Sequence, residues 1–259
     1  MKIKKIHYRV PVDEISDVHV YVSQPDLSKQ NTLFIFSHGF SVDGTESFRL
    51  FIKLSNKLVE LGYPTILFDY RGNGYSDLEF EDMTFDTLLA DLNAITAFAS
   101  EKFPGYQIAY WGMSFGCAIA TSVASVRTDI NLMVLWGLSA DIYQRYRDTL
   151  LDREEIDEKG YTYISKGFKV KREFLESLQG RDIYAAIRDA SIPTLLVHGT
   201  DDATASIELA RTAHRLAPDN TTLYEVIGGN HGFKVQPERY EEAVKASLFW
   251  VAKMLDEPN

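Results

Sequence analysis

Ser114 lies in Gly112-Met113-Ser114-Phe115-Gly116, a Gly-x-Ser-x-Gly stretch. The apolar run 108–111 leads into it, and the small-residue helical pattern Cys117-Ala118-Ile119-Ala120 leads out, so the serine belongs at a strand-to-helix turn. Such a turn raises the hydroxyl above the end of a sheet on strained backbone. A side chain two residues to either side would strike neighbouring backbone, which accounts for both glycines. Phe115 opens the helix, and its N–H has no intrahelical acceptor and can point at an oxyanion. The chemistry this suits is nucleophilic attack through an acyl intermediate. The bland alternative is an ordinary serine in a glycine-rich turn.

A serine hydroxyl is a poor nucleophile near neutral pH and needs a base, which in turn needs an orienting acid. The chain has six histidines. His7 and His19 fall in the first two strand-like segments. His214 lies inside a helical pattern beside Arg211 and Arg215 and is expected to face solvent. His38 and His198 each precede a glycine at the end of an apolar run and are expected to hydrogen-bond nearby backbone. His231, in Gly228-Gly229-Asn230-His231-Gly232 after the last strand, is the best base. The acid should follow a strand between serine and histidine, and His198-Gly199-Thr200-Asp201-Asp202 offers two adjacent candidates. A loop carboxylate closing a turn on its own backbone is the alternative for either. A second oxyanion donor is expected where the run 32–37 ends at His38-Gly39-Phe40, and the N–H of Phe40 is the choice.

The elements that must hold these residues alternate. Residues 3–10 and 17–23 alternate apolar and polar and read as an antiparallel pair. The runs 32–37, 64–68, 108–111, 132–136, 194–198 and 222–227 read as further strands. Helical periodicity covers 45–61, 84–102, 207–216 and 237–255, with Thr84 as a cap and Pro237 at a first turn. The expectation is an α/β protein with an eight-stranded, mostly parallel sheet and helices on both faces. The gap between Trp136 and Thr194 is too long for one crossover helix. It holds a charged helical stretch at 140–158, a hairpin-like stretch at 161–170 and a helical stretch at 171–179. It is therefore expected to be an inserted cap, residues 138–190, on a core of residues 1–137 and 191–259, because it leaves the strand end where ligands bind in such sheets.

Composition narrows the partners. The 259 residues are 45% hydrophobic, enough for a full core, and carry a net charge of −10, which disfavours nucleic acid and anionic membranes. No stretch has the length of a spanning helix, and the basic start lacks the apolar core of a signal peptide. The single cysteine, Cys117, excludes an internal disulfide and points to a cytoplasmic setting. It is expected to pack rather than react. No cluster has metal-ligand spacing, and Gly72-x-Gly74 lacks the rest of a dinucleotide fingerprint, so no metal or cofactor is expected.

The order Ser…Asp…His, the Gly-Met-Ser-Phe-Gly elbow, the His38-Gly39-Phe40 loop, the Asp69-Tyr70-Arg71-Gly72-Asn73-Gly74-Tyr75-Ser76 loop and the His198-Gly199-Thr200-Asp201-Asp202 loop together resemble the α/β-hydrolase superfamily over the whole chain. The cap position and the loop 69–76 are similar to serine esterases and lipases of the monoacylglycerol lipase and feruloyl/cinnamoyl esterase type. The resemblance implies Ser114 as nucleophile, His231 as base and Asp202 as acid, and a small-molecule ester substrate. Thioester hydrolysis or acyl transfer would use the same residues, and a slow-turnover receptor on this fold is the rival of another class. Two positions depart from many relatives: Cys117 replaces a glycine, and Ala205-Ser206 replace a branched apolar residue and a proline. Asp69 and Arg71 are expected to form an ion pair that shapes their loop.

Overall fold

The computed structural model describes residues 3–26, 30–150, 153–164 and 167–256. Strands β1 (Ile3–Pro11) and β2 (Asp17–Pro25) pair antiparallel, from Ile3 opposite Pro25 to Pro11 opposite Asp17. Then follow β3 (Thr32–Ser37), α1 (Leu50–Glu60), β4 (Thr65–Phe68), α2 (Phe85–Lys102), β5 (Gln107–Met113), α3 (Phe115–Ala124) and β6 (Ile130–Trp136). The long connection contains α4 (Ile142–Arg145), α5 (Arg153–Lys159), the hairpin β7 (Tyr161–Tyr163) and β8 (Lys169–Lys171), α6 (Arg172–Leu178) and α7 (Ile183–Ala190). The chain closes with β9 (Thr194–Gly199), α8 (Ile207–Leu216), β10 (Thr221–Val226) and α9 (Pro237–Asp256). The main sheet runs β1-β2-β4-β3-β5-β6-β9-β10, and every pair from β4 to β10 is parallel. The eight-stranded, mostly parallel sheet expected from the sequence is therefore present.

The central strands are continuous apolar runs because both their faces are covered. Alternate residues divide between two cores. Phe34, Phe36, Trp111, Val134, Trp136 and Val197 face α1 and α9, whereas Leu33, Ile35, Tyr110, Met133, Leu135 and Leu196 face α2, α3, α7 and α8. Helix α2 starts at a capping box, in which Thr84 and Thr87 exchange side-chain and backbone bonds.

Four expectations change. The helix expected from residue 45 starts only at Leu50, because Glu46, Phe48 and Arg49 all have positive φ. Helix α7 was not anticipated. Its buried Ile183 and Ile187 stand four residues apart on one face and the helix packs against α3, but at eight residues it is shorter than the span over which helical periodicity is read. Arg71 does not pair with Asp69. Its guanidinium binds buried Asp91 at 2.6 Å and also Asp13, while Asp69 accepts the Gly44 and Tyr75 N–H groups, so the loop is held by two separate networks. His214 is not simply solvated, since its Nδ1 bonds Thr221 Oγ1 at 2.8 Å. Residues 151–152 of the expected charged helix and 165–166 of the expected hairpin lie outside the described residues.

Packing is very tight where α3 meets the end of β3. A Cβ on Gly116 would stand 2.1 Å from the Ser37 carbonyl oxygen and 2.5 Å from that of His38. Both are backbone, so neither can rotate away. Gly116→Ala is predicted to lower stability by at least about 1–3 kcal/mol, the range for forced overpacking. Urea unfolding measures this, and an unchanged midpoint would contradict the close approach.

Candidate active site

The end of β5 delivers Ser114 at φ 54° and ψ −119°, a strained conformation for a residue with a Cβ. The strain is held in place by hydrogen bonds from Ser114 N to Trp136 O (2.9 Å) and from Cys117 N to Ser114 O (3.0 Å). Gly112 is required for the same reason as Gly116, since its Cβ would lie 2.9 Å from the Cys117 Cα. Cys117 itself fits beneath the turn, with Sγ 3.4 Å from Trp136 O, and burial pushes its thiol well up. It is a packing residue, and the departure from glycine is accommodated.

His231 comes from the loop between β10 and α9. Its Nδ1 is 2.7 Å from Asp202 Oδ2. Asp202 follows β9 and is buried, and its Oδ1 accepts the N–H groups of Thr204 and Ala205, both at 2.8 Å. His198 Nε2 approaches Oδ2 at 3.3 Å and also contacts Ala205 O at 2.8 Å, so that nitrogen carries the proton. Burial pushes the Asp202 carboxyl up. Hydrogen bonds from His198 and His231, the charge of His231 and the Ala205 amide outweigh it and hold the group well below the usual carboxylate range. Asp201 is exposed and bonded to Thr200 Oγ1. Of the two adjacent aspartates, only Asp202 meets a histidine. Ala205 and Ser206 find uses of their own, the first donating to Asp202 and the second capping α8.

The loop bearing His231 is pinned from three sides. Gln236 accepts the Asn230 N–H (2.8 Å) and donates to Gly228 O (2.9 Å), and Asn230 Nδ2 donates to Lys234 O (2.9 Å). Gly137 makes room for the imidazole, because a Cβ there would stand 3.2 Å from His231 Cε1.

Neither the Phe40 nor the Phe115 N–H has a hydrogen-bond acceptor among the described residues. The peptide carrying the Phe40 N–H is fixed through its other end, since His38 Nδ1 donates to Gly39 O at 2.9 Å. His38 Nε2 accepts the Tyr70 N–H at 3.1 Å, which assigns the neutral tautomer, and burial lowers its basicity. Glu46 grips the preceding amide, with Oε2 accepting Gly39 N–H at 2.8 Å and Oε1 accepting Ser47 N–H at 3.0 Å. His38 is thus the backbone-bonding histidine the sequence suggested. Glu46 is a site residue that sequence reasoning missed, since no spacing rule relates it to Gly39.

Ser114 and His231 line one cavity of about 200 Å³ with Gly39, Phe40, Glu46, Arg145, Tyr146 and Lys234. Ser114 Oγ and His231 share no hydrogen bond, and such contacts often tighten only when substrate is present. An aromatic cluster adjoins the cavity through Phe40 and Tyr146. Tyr146 and Phe174, from the connection between β6 and β9, pack on Phe40 with centroids at 4.8 and 5.2 Å and on Phe115 at 5.3 and 6.0 Å. A hydroxyl, an imidazole oriented by a buried carboxylate and two free amides can together carry out acyl transfer. His7 and His19 bond each other at 3.0 Å on the edge strands and take no part.

Residues 32–140 match the family model described as alpha/beta hydrolase fold. Est1E from Butyrivibrio proteoclasticus, solved with ferulic acid bound, superposes with a TM-score of 0.82 at 22% identity over 95% of this chain and 99% of that one. The Pyrococcus furiosus esterase Pf2001 superposes with a TM-score of 0.72 at 15% identity over 98% of this chain and 94% of that one. The lysophosphatidylserine lipase ABHD12 of Danio rerio is 24% identical over 222 residues, 82% of this chain; the match spans 52%, about half, of that relative's length. No helix of the described residues is long and apolar enough to cross a membrane. With its sheet order, its serine turn and these likenesses, the chain is an α/β-hydrolase-fold protein.

Proposed function

We propose that the protein is a serine hydrolase that cleaves a carboxylic ester through an acyl-enzyme. The observation that carries this reading is the 2.7 Å bond between His231 Nδ1 and Asp202, with His231 lining the cavity that strained Ser114 also lines. With Nδ1–H committed to the carboxylate, Nε2 is the basic nitrogen. It takes the proton of Ser114 Oγ as the hydroxyl attacks the carbonyl, and Asp202 stabilises the imidazolium that forms. The N–H groups of Phe40 and Phe115 receive the oxyanion, each contributing about 3–4 kcal/mol to the transition state. His231 then protonates the leaving alcohol, and a water repeats the sequence to release the acid. Similarity to an esterase fold with ferulic acid bound and to a lysophosphatidylserine lipase supports an ester rather than an amide.

The segment 138–190 acts as the cap in this reading, in two parts. The stretch through α6 contributes Tyr146 to the cavity wall and packs Phe174 on Phe40, and ion pairs of Lys169 and Lys171 with Glu81 tie its hairpin down. Helix α7 instead extends the core against α3.

Ser114→Ala is predicted to abolish turnover of p-nitrophenyl esters and labelling by a fluorophosphonate while leaving the circular dichroism spectrum unchanged. Retention of more than a small fraction of kcat would remove Ser114 as the nucleophile. Asp202→Asn should lower kcat by about 10⁴-fold, the cost of losing the orienting acid of a serine triad. Asp201→Asn should change it only a few-fold, and the reverse ranking would move the acid to Asp201.

Asp202 also links stability to pH. Its folded carboxyl titrates below its unfolded one, so the stabilisation is present above the usual carboxyl value of about 3.9 and is lost as pH falls toward the folded value. The stability difference between the wild type and Asp202→Asn should therefore shrink as pH drops from 7 toward 3. Urea midpoints across that range measure it, and a constant gap would contradict the assignment.

A further inference from the structure

The cavity holding Ser114 and His231 contains two cationic side chains, Arg145 from α4 and Lys234 from the histidine loop. The chain as a whole has a net charge of −10, so cations gathered here are not a by-product of a basic surface. Lys234 makes no ion pair among the described residues, whereas Lys57, Lys169 and Lys171 each pair with a glutamate. Its stem turns back over Gly232, where Cε lies 3.6 Å from the position a Cβ would occupy, one residue from His231. The backbone that presents it is strained on both sides, with φ 57° at Phe233 and 53° at Val235, and strain that persists in a pinned loop marks a functional position.

The two carboxylates beside Ser114 and His231 are already engaged. Glu46, the carboxylate lining the cavity, accepts the Gly39 and Ser47 N–H groups, and Asp202 is saturated by two imidazoles and two amides. A second cavity of about 370 Å³ shares Glu46, Ser47 and Lys234 with the first and is walled by Phe48, Leu50, Phe233, Val235 and Tyr240. It offers mainly apolar surface beside the ammonium.

We propose that the preferred ester carries an anionic group, a carboxylate or a phosphate, within a few bonds of the scissile carbonyl, held by Lys234 with Arg145 lining the same cavity, and with apolar carbon in the adjoining cavity. This rests on the serine-hydrolase reading and adds the charge of the substrate. Both cations donate hydrogen bonds, and charge-assisted bonds to an oxyacid are about twice as strong as neutral ones. The anion can lie on either side of the ester bond.

Two matched pairs of esters distinguish the sides. 4-Carboxyphenyl butyrate against 4-carbamoylphenyl butyrate places the charge in the alcohol part. The phenyl monoester of adipic acid against its terminal amide places it in the acyl part. The expected result is a kcat/KM ratio of acid to amide of about tenfold in at least one pair, equivalent to one good charge-assisted contact. Lys234→Met and Arg145→Met should each pull that ratio toward one. Fluorophosphonate labelling of Ser114 in both variants verifies that the site is intact. Ratios at or below one in both pairs for the wild type, with the neutral esters turned over, would overturn the substrate assignment and leave the hydrolase reading standing. Absence of turnover of all four esters would overturn the hydrolase reading, and this inference with it.

Discussion

The site depends on one buried carboxylate. Asp202 accepts bonds from His231, His198 and the amides of Thr204 and Ala205, four donors from three parts of the chain. A charge in so enclosed a place is tolerable only when its lone pairs are this fully used. The same bonds fix the exit from β9, the approach to α8 and the loop before α9. The close contact of Gly199 with that loop, where a Cβ would meet Gly229 O at 2.1 Å, leaves no slack between them. The orientation of the imidazole is therefore a consequence of how the last third of the sheet is built.

A second, independent set of supports serves the other half of the cavity. Gly116 lets α3 approach the end of β3, which brings the Phe115 N–H and the Phe40 loop together. His38 and Glu46 then hold the Gly39 peptide units from both sides. Glu46 reaches Gly39 only because the backbone at Glu46, Phe48 and Arg49 turns left-handed before α1 begins. That local cost delays the helix by several residues relative to its hydrophobic pattern, and in exchange the peptide units on either side of Gly39 are held in place.

Much of this was legible in the residues. Continuous apolar runs named the central strands, and the elbow glycines, the strand-end dipeptides and the glycine-rich loop of His231 marked the positions that the structure gathers at one sheet edge. What was not legible depends on long-range geometry. The choice between Asp201 and Asp202 turns on which side chain faces the sheet edge, and only the resemblance to a family favoured Asp202. Helix α7 is hidden because its eight residues are fewer than the span over which helical periodicity is read. Arg71 finds Asp91, twenty residues away on α2, instead of its neighbour Asp69, because Asp69 is taken up by backbone amides of Gly44 and Tyr75. The positions of Glu46 and Lys234 depend on loop conformations with positive φ, which no short motif encodes.

The central claim is that Ser114 becomes acylated with His231 as its base. The most direct measurement is rapid mixing with p-nitrophenyl acetate, acid quenching during the first turnover, and peptide mass spectrometry of the quenched protein. The account predicts a burst of nitrophenolate approaching one equivalent, with the acetyl group on Ser114. Acetyl found on another residue, or turnover with no adduct at Ser114, would contradict it.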